Sequence, residues 1–115
     1  MAQARTGVEV VDTGVDDGPE LPQYTYSLGR NIPNPFNPRT TIEYSVADRV
    51  PVRIVVYDVA GRVVRTLVDD VREAGEYSVL WDGRNNDNEA LASGVYFVRY
   101  SAGTHTFWEK AALLR

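Results

Sequence analysis

Val52-Arg53-Ile54-Val55-Val56-Tyr57-Asp58-Val59-Ala60-Gly61 is the stretch whose reading decides the fold. Val52, Ile54 and Val56 alternate with Arg53, Val55 and Tyr57. That period of two marks a β-strand with one face turned to a core. Asp58 to Gly61 then supply turn chemistry, an aspartate that accepts backbone N–H groups and a glycine free to take positive φ. The same period recurs on both sides of this stretch. Ile42, Tyr44 and Val46 alternate with Thr41, Glu43 and Ser45. Tyr77, Val79 and Trp81 alternate with Ser78, Leu80 and Asp82, and Tyr96, Val98 and Tyr100 with Phe97, Arg99 and Ser101. Val55, Leu80 and Phe97 add apolar side chains to the second face, which predicts cover or a contact on that side as well. No segment carries a helical stripe.

Turn signals separate these runs. Asp48-Arg49 before Val50-Pro51 predicts a hairpin, Glu73-Ala74-Gly75-Glu76 a second tight turn, Asp82 to Asn88 a longer polar loop, and Ala102-Gly103-Thr104 the last hairpin. About seven short strands with repeated turns define an all-β chain, an immunoglobulin-like antiparallel β-sandwich. With no cysteine in the chain, the inference rests on pattern and not on a Cys…Trp…Cys signature.

The sequence has 115 residues and a net charge of −4, enough for one domain with or without a tail. Residues 1–25 hold five acids and one base, whereas residues 26–115 hold 11 of each. We therefore read residues 26–115 as the sandwich. Residues 1–25 read as an acidic linker or tail, with a short strand at Val8-Glu9-Val10-Val11 or none. No basic stripe marks a nucleic-acid binder. No apolar run approaches the roughly 20 residues of a membrane span, and no signal-peptide core follows Met1-Ala2-Gln3-Ala4-Arg5. Lack of cysteine excludes disulfides, thiolate zinc sites and cysteine nucleophiles. A single histidine, His105, argues against a Ser-His-Asp machine, so no enzyme and no cofactor are expected.

Asn31-Ile32-Pro33-Asn34-Pro35-Phe36-Asn37-Pro38 is the densest unusual segment. Its prolines fix φ and bias the preceding residues to extended backbone, giving a stiff strap. Asn34 and Asn37 can bond nearby backbone and Phe36 can plug an apolar edge, so the strap should cap one end of the sandwich. Asp82, Asn85, Asp87 and Glu89 gather oxygens of the kind calcium takes, but their spacing is not that of an EF-hand and Arg84 sits among them. A solvated turn is the better reading. Asp69, Asp70 and Glu73 read as a solvated loop. Seven tyrosines suit a sugar-binding platform, yet strand preference and core packing account for most of them.

Taken in order, the motifs of residues 28–115 resemble the C-terminal sorting domains of the type IX secretion system. The run from Leu28 through Pro33-Asn34-Pro35-Phe36-Asn37-Pro38 to Ile42 resembles their opening. Val56 to Val64, with Asp58 and Gly61, looks like their second motif. Ala74-Gly75-Glu76-Tyr77 with Trp81-Asp82-Gly83-Arg84 looks like the third, Ser93-Gly94-Val95-Tyr96-Phe97 the fourth, and Lys110 with Leu113-Leu114-Arg115 the last. The immunoglobulin-like domain of flagellar hook-capping proteins is similar over Val56 to Tyr100. Asn88 stands where the family often has glycine, and Ala111-Ala112 replaces bulkier residues.

The resemblance implies an exported, non-catalytic address label at the end of a larger protein. An outer-membrane translocon would read it, a sortase-like protease would cleave within residues 1–25, and the cargo would reach the cell surface by way of the periplasm. A signal read by another protein needs exposed, rigid features. The terminal strand, Thr106 to Arg115, should offer unpaired backbone groups that a partner can extend. Lys110, Leu113, Leu114 and Arg115 are the recognition candidates, and an open edge also permits self-association. Gly94 is expected at a bulge or close approach and Tyr96 in the core. The alternative is an extracellular structural or adhesive module, carbohydrate-binding or hook-cap-like.

Overall fold

Alternation along the chain becomes burial in the computed structural model, which describes residues 23–115. The strands are β1 (Ser27–Ile32), β2 (Thr40–Val46), β3 (Val50–Tyr57), β4 (Val63–Arg72), β5 (Gly75–Trp81), β6 (Gly94–Ala102) and β7 (His105–Leu113). Ile42, Tyr44 and Val46 of β2, Val52, Ile54 and Val56 of β3, and Tyr96, Val98 and Tyr100 of β6 are all buried. Burying each such side chain contributes about 1.5–3 kcal/mol. The expected strand at Val8–Val11 and nearly all of the acidic segment lie outside the described residues.

Two antiparallel sheets face each other, β1-β2-β5 and β4-β3-β6-β7. The architecture is the immunoglobulin-like sandwich that the pattern predicts. Two of the expected hairpins are found, Asp58 to Arg62 joining β3 to β4 and Gly103-Thr104 joining β6 to β7. The third is not. β2 pairs with β1 and β5, while β3 pairs with β4 and β6. Ala47 to Arg49 therefore carry the chain from one sheet to the other. Turn residues specify a reversal of direction, not which ladder the next strand joins. The turn at Glu73-Ala74 likewise crosses between sheets.

The sheets are tied across the core by Tyr100, whose hydroxyl donates to the Ser45 carbonyl at 2.6 Å. Burial, with Tyr44 and Tyr26 nearby, pushes this phenol up to about 12. At the other end of the core Phe36, Trp81 and Leu113 are fully buried, with the Phe36 and Trp81 ring centroids 5.2 Å apart. On the outer faces Val55 is covered, but Leu80 is 53% exposed, so the expected second-face contact fails at Leu80.

Candidate functional site

The strap is built onto the far end of the chain. Residues 33–39 join β1 to β2 and cross the edge of β7. The Asn34 side-chain amide donates to the Lys110 carbonyl at 3.1 Å, and its oxygen accepts from the Ala112 N–H at 3.0 Å. The Phe36 N–H donates to the Ala112 carbonyl, and the Leu114 N–H to the Phe36 carbonyl, both at 2.9 Å. Phe36 thus forms a parallel bridge to Leu113. The expected cap is found, made by Asn34 and Phe36 to backbone more than 70 residues away. It changes the expectation for β7. The backbone of Lys110 to Leu114 is already occupied and does not stand open to a partner.

The four recognition candidates separate. Lys110 projects from β7 with an exposed side chain, and Leu114 is 54% exposed. Leu113 is fully buried, because its position in the β7 alternation turns it to the core, so it is a packing residue. Arg115 does not fray. Its Nε donates to the Leu91 carbonyl at 2.6 Å, its Nη2 to the Gly83 carbonyl at 2.8 Å, and its backbone N–H to Ser93 Oγ at 2.8 Å. It locks β7 to the loop between β5 and β6.

That loop is a structural knot. Trp81 donates from Nε1 to the Arg84 carbonyl at 3.1 Å. Asp82 Oδ1 takes Arg65 Nη1 at 2.9 Å and the Arg84 N–H at 3.1 Å. Burial opposes the ionised Asp82, but the Arg65 guanidinium and the Arg84 N–H outweigh it and hold the carboxyl below its ordinary value. Gly83 sits at φ +73°, and a Cβ there would lie 2.9 Å from the Pro38 carbonyl. No side chain larger than hydrogen fits without displacing the strap. Of the oxygens considered for calcium, those of Asp82, Asn85 and Glu89 accept hydrogen bonds within the domain. Asn85 Oδ1 accepts the N–H groups of Asp87 and Glu89, both at 2.9 Å, and the Asn85 amide donates to Glu89. Asn88 has φ +63°, the left-handed conformation that glycine takes freely and asparagine tolerates.

Elsewhere the motif residues turn the chain or fill the core. Asp58 Oδ1 accepts the N–H groups of Ala60 and Arg62 at 2.9 and 3.0 Å. The Arg62 N–H is the main reason its carboxyl lies below the ordinary value. Gly61 is at φ +82° in the same turn. The Tyr96 ring meets Trp81 edge-on at 5.5 Å, and its hydroxyl donates to the Ala92 carbonyl at 2.7 Å. Gly94 departs from expectation. Its ladder to β7 is regular, and no heavy atom lies within 4 Å of where a Cβ would stand. There is neither bulge nor close approach. Asp69 and Asp70 lie on β4 and not in a loop, with Arg53 and Arg72 as ion-pair partners at 3.7 and 3.3 Å. The polar residues there face solvent from an edge strand. His105 stacks on Tyr26 at 4.3 Å between centroids.

Sequence reasoning did not single out a groove on the outer face of the four-stranded sheet. It is lined by Tyr57, Phe97, Arg99, Thr106 and Trp108 beside the Asp58–Gly61 turn. Trp108 is 55% exposed, its ring 5.5 Å from that of Tyr57 and 5.9 Å from the Arg99 guanidinium carbon. The alternation of Phe97 and Arg99 with core residues was the available signal.

Fold and motifs together define an immunoglobulin-like sandwich whose distinctive residues serve its own closure. The family model of the FlgD Ig-like domain matches residues 37–106, and the chain belongs to that family. Two solved structures from Porphyromonas gingivalis share the fold. One is PorZ, described as an essential bacterial surface component of the type-IX secretion system, at 23% identity and TM-score 0.53 over 78% of this chain. The other is dimeric latent PorU, at 16% identity and TM-score 0.63 over 90% of this chain. The chain spans only 11% and 10% of those two proteins. No curated protein matches it.

Proposed function

We propose that this domain is a non-catalytic sorting module that marks a larger exported protein for passage across the outer membrane by a type IX secretion system. The carrying observation is the closure of the motif series into one rigid unit. Strap, β7, the Trp81-Asp82-Gly83 loop and Arg115 are bonded together, and Lys110 is left exposed in their midst. A partner can read such a feature without any pocket. Support also comes from PorZ and PorU, where the same fold takes up about a tenth of a much longer chain. On this reading an outer-membrane translocon contacts Lys110 and Leu114, and a sortase-like protease cuts in the acidic segment. The protein passes through the periplasm to the cell surface.

The test is a secretion assay. The full chain is fused to the C-terminus of a signal-peptide-bearing fluorescent reporter in a bacterium with a type IX system. Surface or secreted reporter, lost on deletion of the translocon, is the expected result. Lys110→Ala should reduce export while leaving the melting temperature unchanged. Folded reporter retained in the periplasm would refute the proposal.

A second reading, an adhesive module, is favoured by the Tyr57–Trp108 groove, since an exposed aromatic flanked by Arg99 and Thr106 can stack and bond a sugar ring. Glycan-array binding abolished by Trp108→Ala would support it.

A further inference from the structure

The outer face of the four-stranded sheet holds a cation that the fold itself does not use. Among the described residues four arginines are half-buried, Arg65, Arg72, Arg84 and Arg99. Arg65 bonds Asp82 and the Arg84 carbonyl, Arg72 bonds Asp70, and Arg84 bonds the Asn88 carbonyl. Among the described residues no hydrogen bond or ion pair engages the Arg99 guanidinium, which lies over the Trp108 ring. A half-buried cation has given up part of its hydration, and its unused N–H donors favour an anion. The groove's own carboxylate does not supply one. Asp58 is held by Arg62 at 2.9 Å and accepts two backbone N–H groups. Farther along the face Asp69 pairs with Arg53. Lys110, cross-strand from Phe97, adds a second positive charge. The Tyr57 and Trp108 rings are tilted by 45° to each other, so they form an angled wall and not a closed stack. The groove they border has a volume of about 460 Å³, within the range of small-ligand sites.

We propose that this groove binds a carboxylate-bearing sugar chain, a polyuronate, with one ring lying on Trp108 and its carboxylate on the Arg99 fork. The inference rests on the adhesive reading above and narrows it from sugars in general to acidic ones. Arg99 is the residue that selects, because a planar guanidinium matches a carboxylate through two parallel bonds. The Thr106 hydroxyl borders the same groove and can bond a ring hydroxyl. Charge complementarity decides the class of sugar. A neutral ring would strip water from Arg99 without returning an acceptor of opposite charge. A nucleic-acid strand also offers stacking rings and anions, but it needs a basic groove that tracks its backbone. Here only Lys110 continues from Arg99.

The probes are trigalacturonate, its neutral counterpart galactotriose, and an oligothymidylate, each titrated into the full chain. Tryptophan fluorescence reports binding, since Trp108 is exposed and Trp81 is fully buried. Trigalacturonate should bind about tenfold or more tighter than galactotriose. Arg99→Gln should bring the acidic sugar down to the neutral one, and Arg99→Lys should restore part of the difference. Trp108→Ala should abolish binding of both, read by calorimetry. Thermal melts check that each variant folds. Equal affinity for the two sugars would overturn the proposal while leaving the adhesive reading intact. A preference for trigalacturonate that survives Arg99→Gln would overturn it too, as would tighter binding of oligothymidylate. Binding of neither sugar would overturn both the proposal and the adhesive reading.

Discussion

Replacing Phe36 with alanine tests whether the strap is fastened by its ring or only lies against the sheet. Phe36 is 1% exposed and packs on Trp81 with centroids 5.2 Å apart. Truncating a buried phenylalanine costs about 3–5 kcal/mol, of which the aromatic pair accounts for about 0.5–1.5. We expect about 4 kcal/mol. A domain of this size holds about 5–14 kcal/mol at typical per-residue values, so Phe36→Ala removes a large share and leaves a protein that folds marginally. Guanidinium unfolding should show the midpoint falling by about 1.5–2 M with the slope unchanged. Phe36→Leu, which keeps most of the volume, should cost about 1 kcal/mol. Hydrogen exchange supplies a local readout, because the Leu114 amide donates to the Phe36 carbonyl. In Phe36→Ala it should lose protection ahead of the β3 amides. A loss under about 1 kcal/mol with the Leu114 amide still protected would refute the reasoning. The strap would then be held by its backbone and Asn34 alone.

Gly83→Ala meets the Pro38 carbonyl at 2.9 Å and a left-handed backbone, whereas Gly61→Ala meets only the backbone. Thermal melts should place the costs at about 3 kcal/mol or more and about 1 kcal/mol. Asp58 and Asp82 have carboxyls held below their ordinary value. Their contribution is present above the usual aspartate pKa of about 3.9 and is lost as pH falls through the lower folded values. Melting temperature should be steady near neutrality and drop below about pH 4, with a shallower drop in Asp82→Asn. Tyr100, pushed up to about 12, favours the folded state below the free phenol value of about 10, and that contribution disappears as pH rises through 12. Phenolate absorbance should show one tyrosine titrating only at the alkaline extreme. Tyr100→Phe should abolish that step and cost about 1 kcal/mol for the bond to Ser45.

The period of two in Val52–Tyr57 and its neighbours carried the fold, because a half-buried strand writes its burial directly into alternate residues. The hairpins at Asp58–Gly61 and Gly103 were legible for the same local reason. The error at Asp48-Arg49 was topological, since nothing in a turn states which sheet the next strand enters. The strap was legible as stiff, but its partner at Lys110–Leu114 was not, because no local rule links residues so distant in sequence. Leu113 and Arg115 were grouped with Lys110 as exposed determinants. Continuing the alternation from Ala111 would have turned Leu113 inward, whereas the three bonds that fix Arg115 depend on loop carbonyls that have no sequence signature. Gly94 shows the opposite failure, a glycine given a steric reason where the structure offers open space.

The bridge between Phe36 and Leu113 joins the first and last portions of the domain, and this sets the order of events when the chain folds. Long-range pairing must await both partners, and such topologies fold slowly. A ribosome that delivers the sequence from its start has released Phe36 long before Leu113 emerges. Until then the Phe36 ring has no socket and Trp81 lacks part of its cover. A chain cut short in β7 leaves that apolar end open to chaperones and proteases. Completion of the fold is thus a report that the whole domain has been made, delivered by its last few residues.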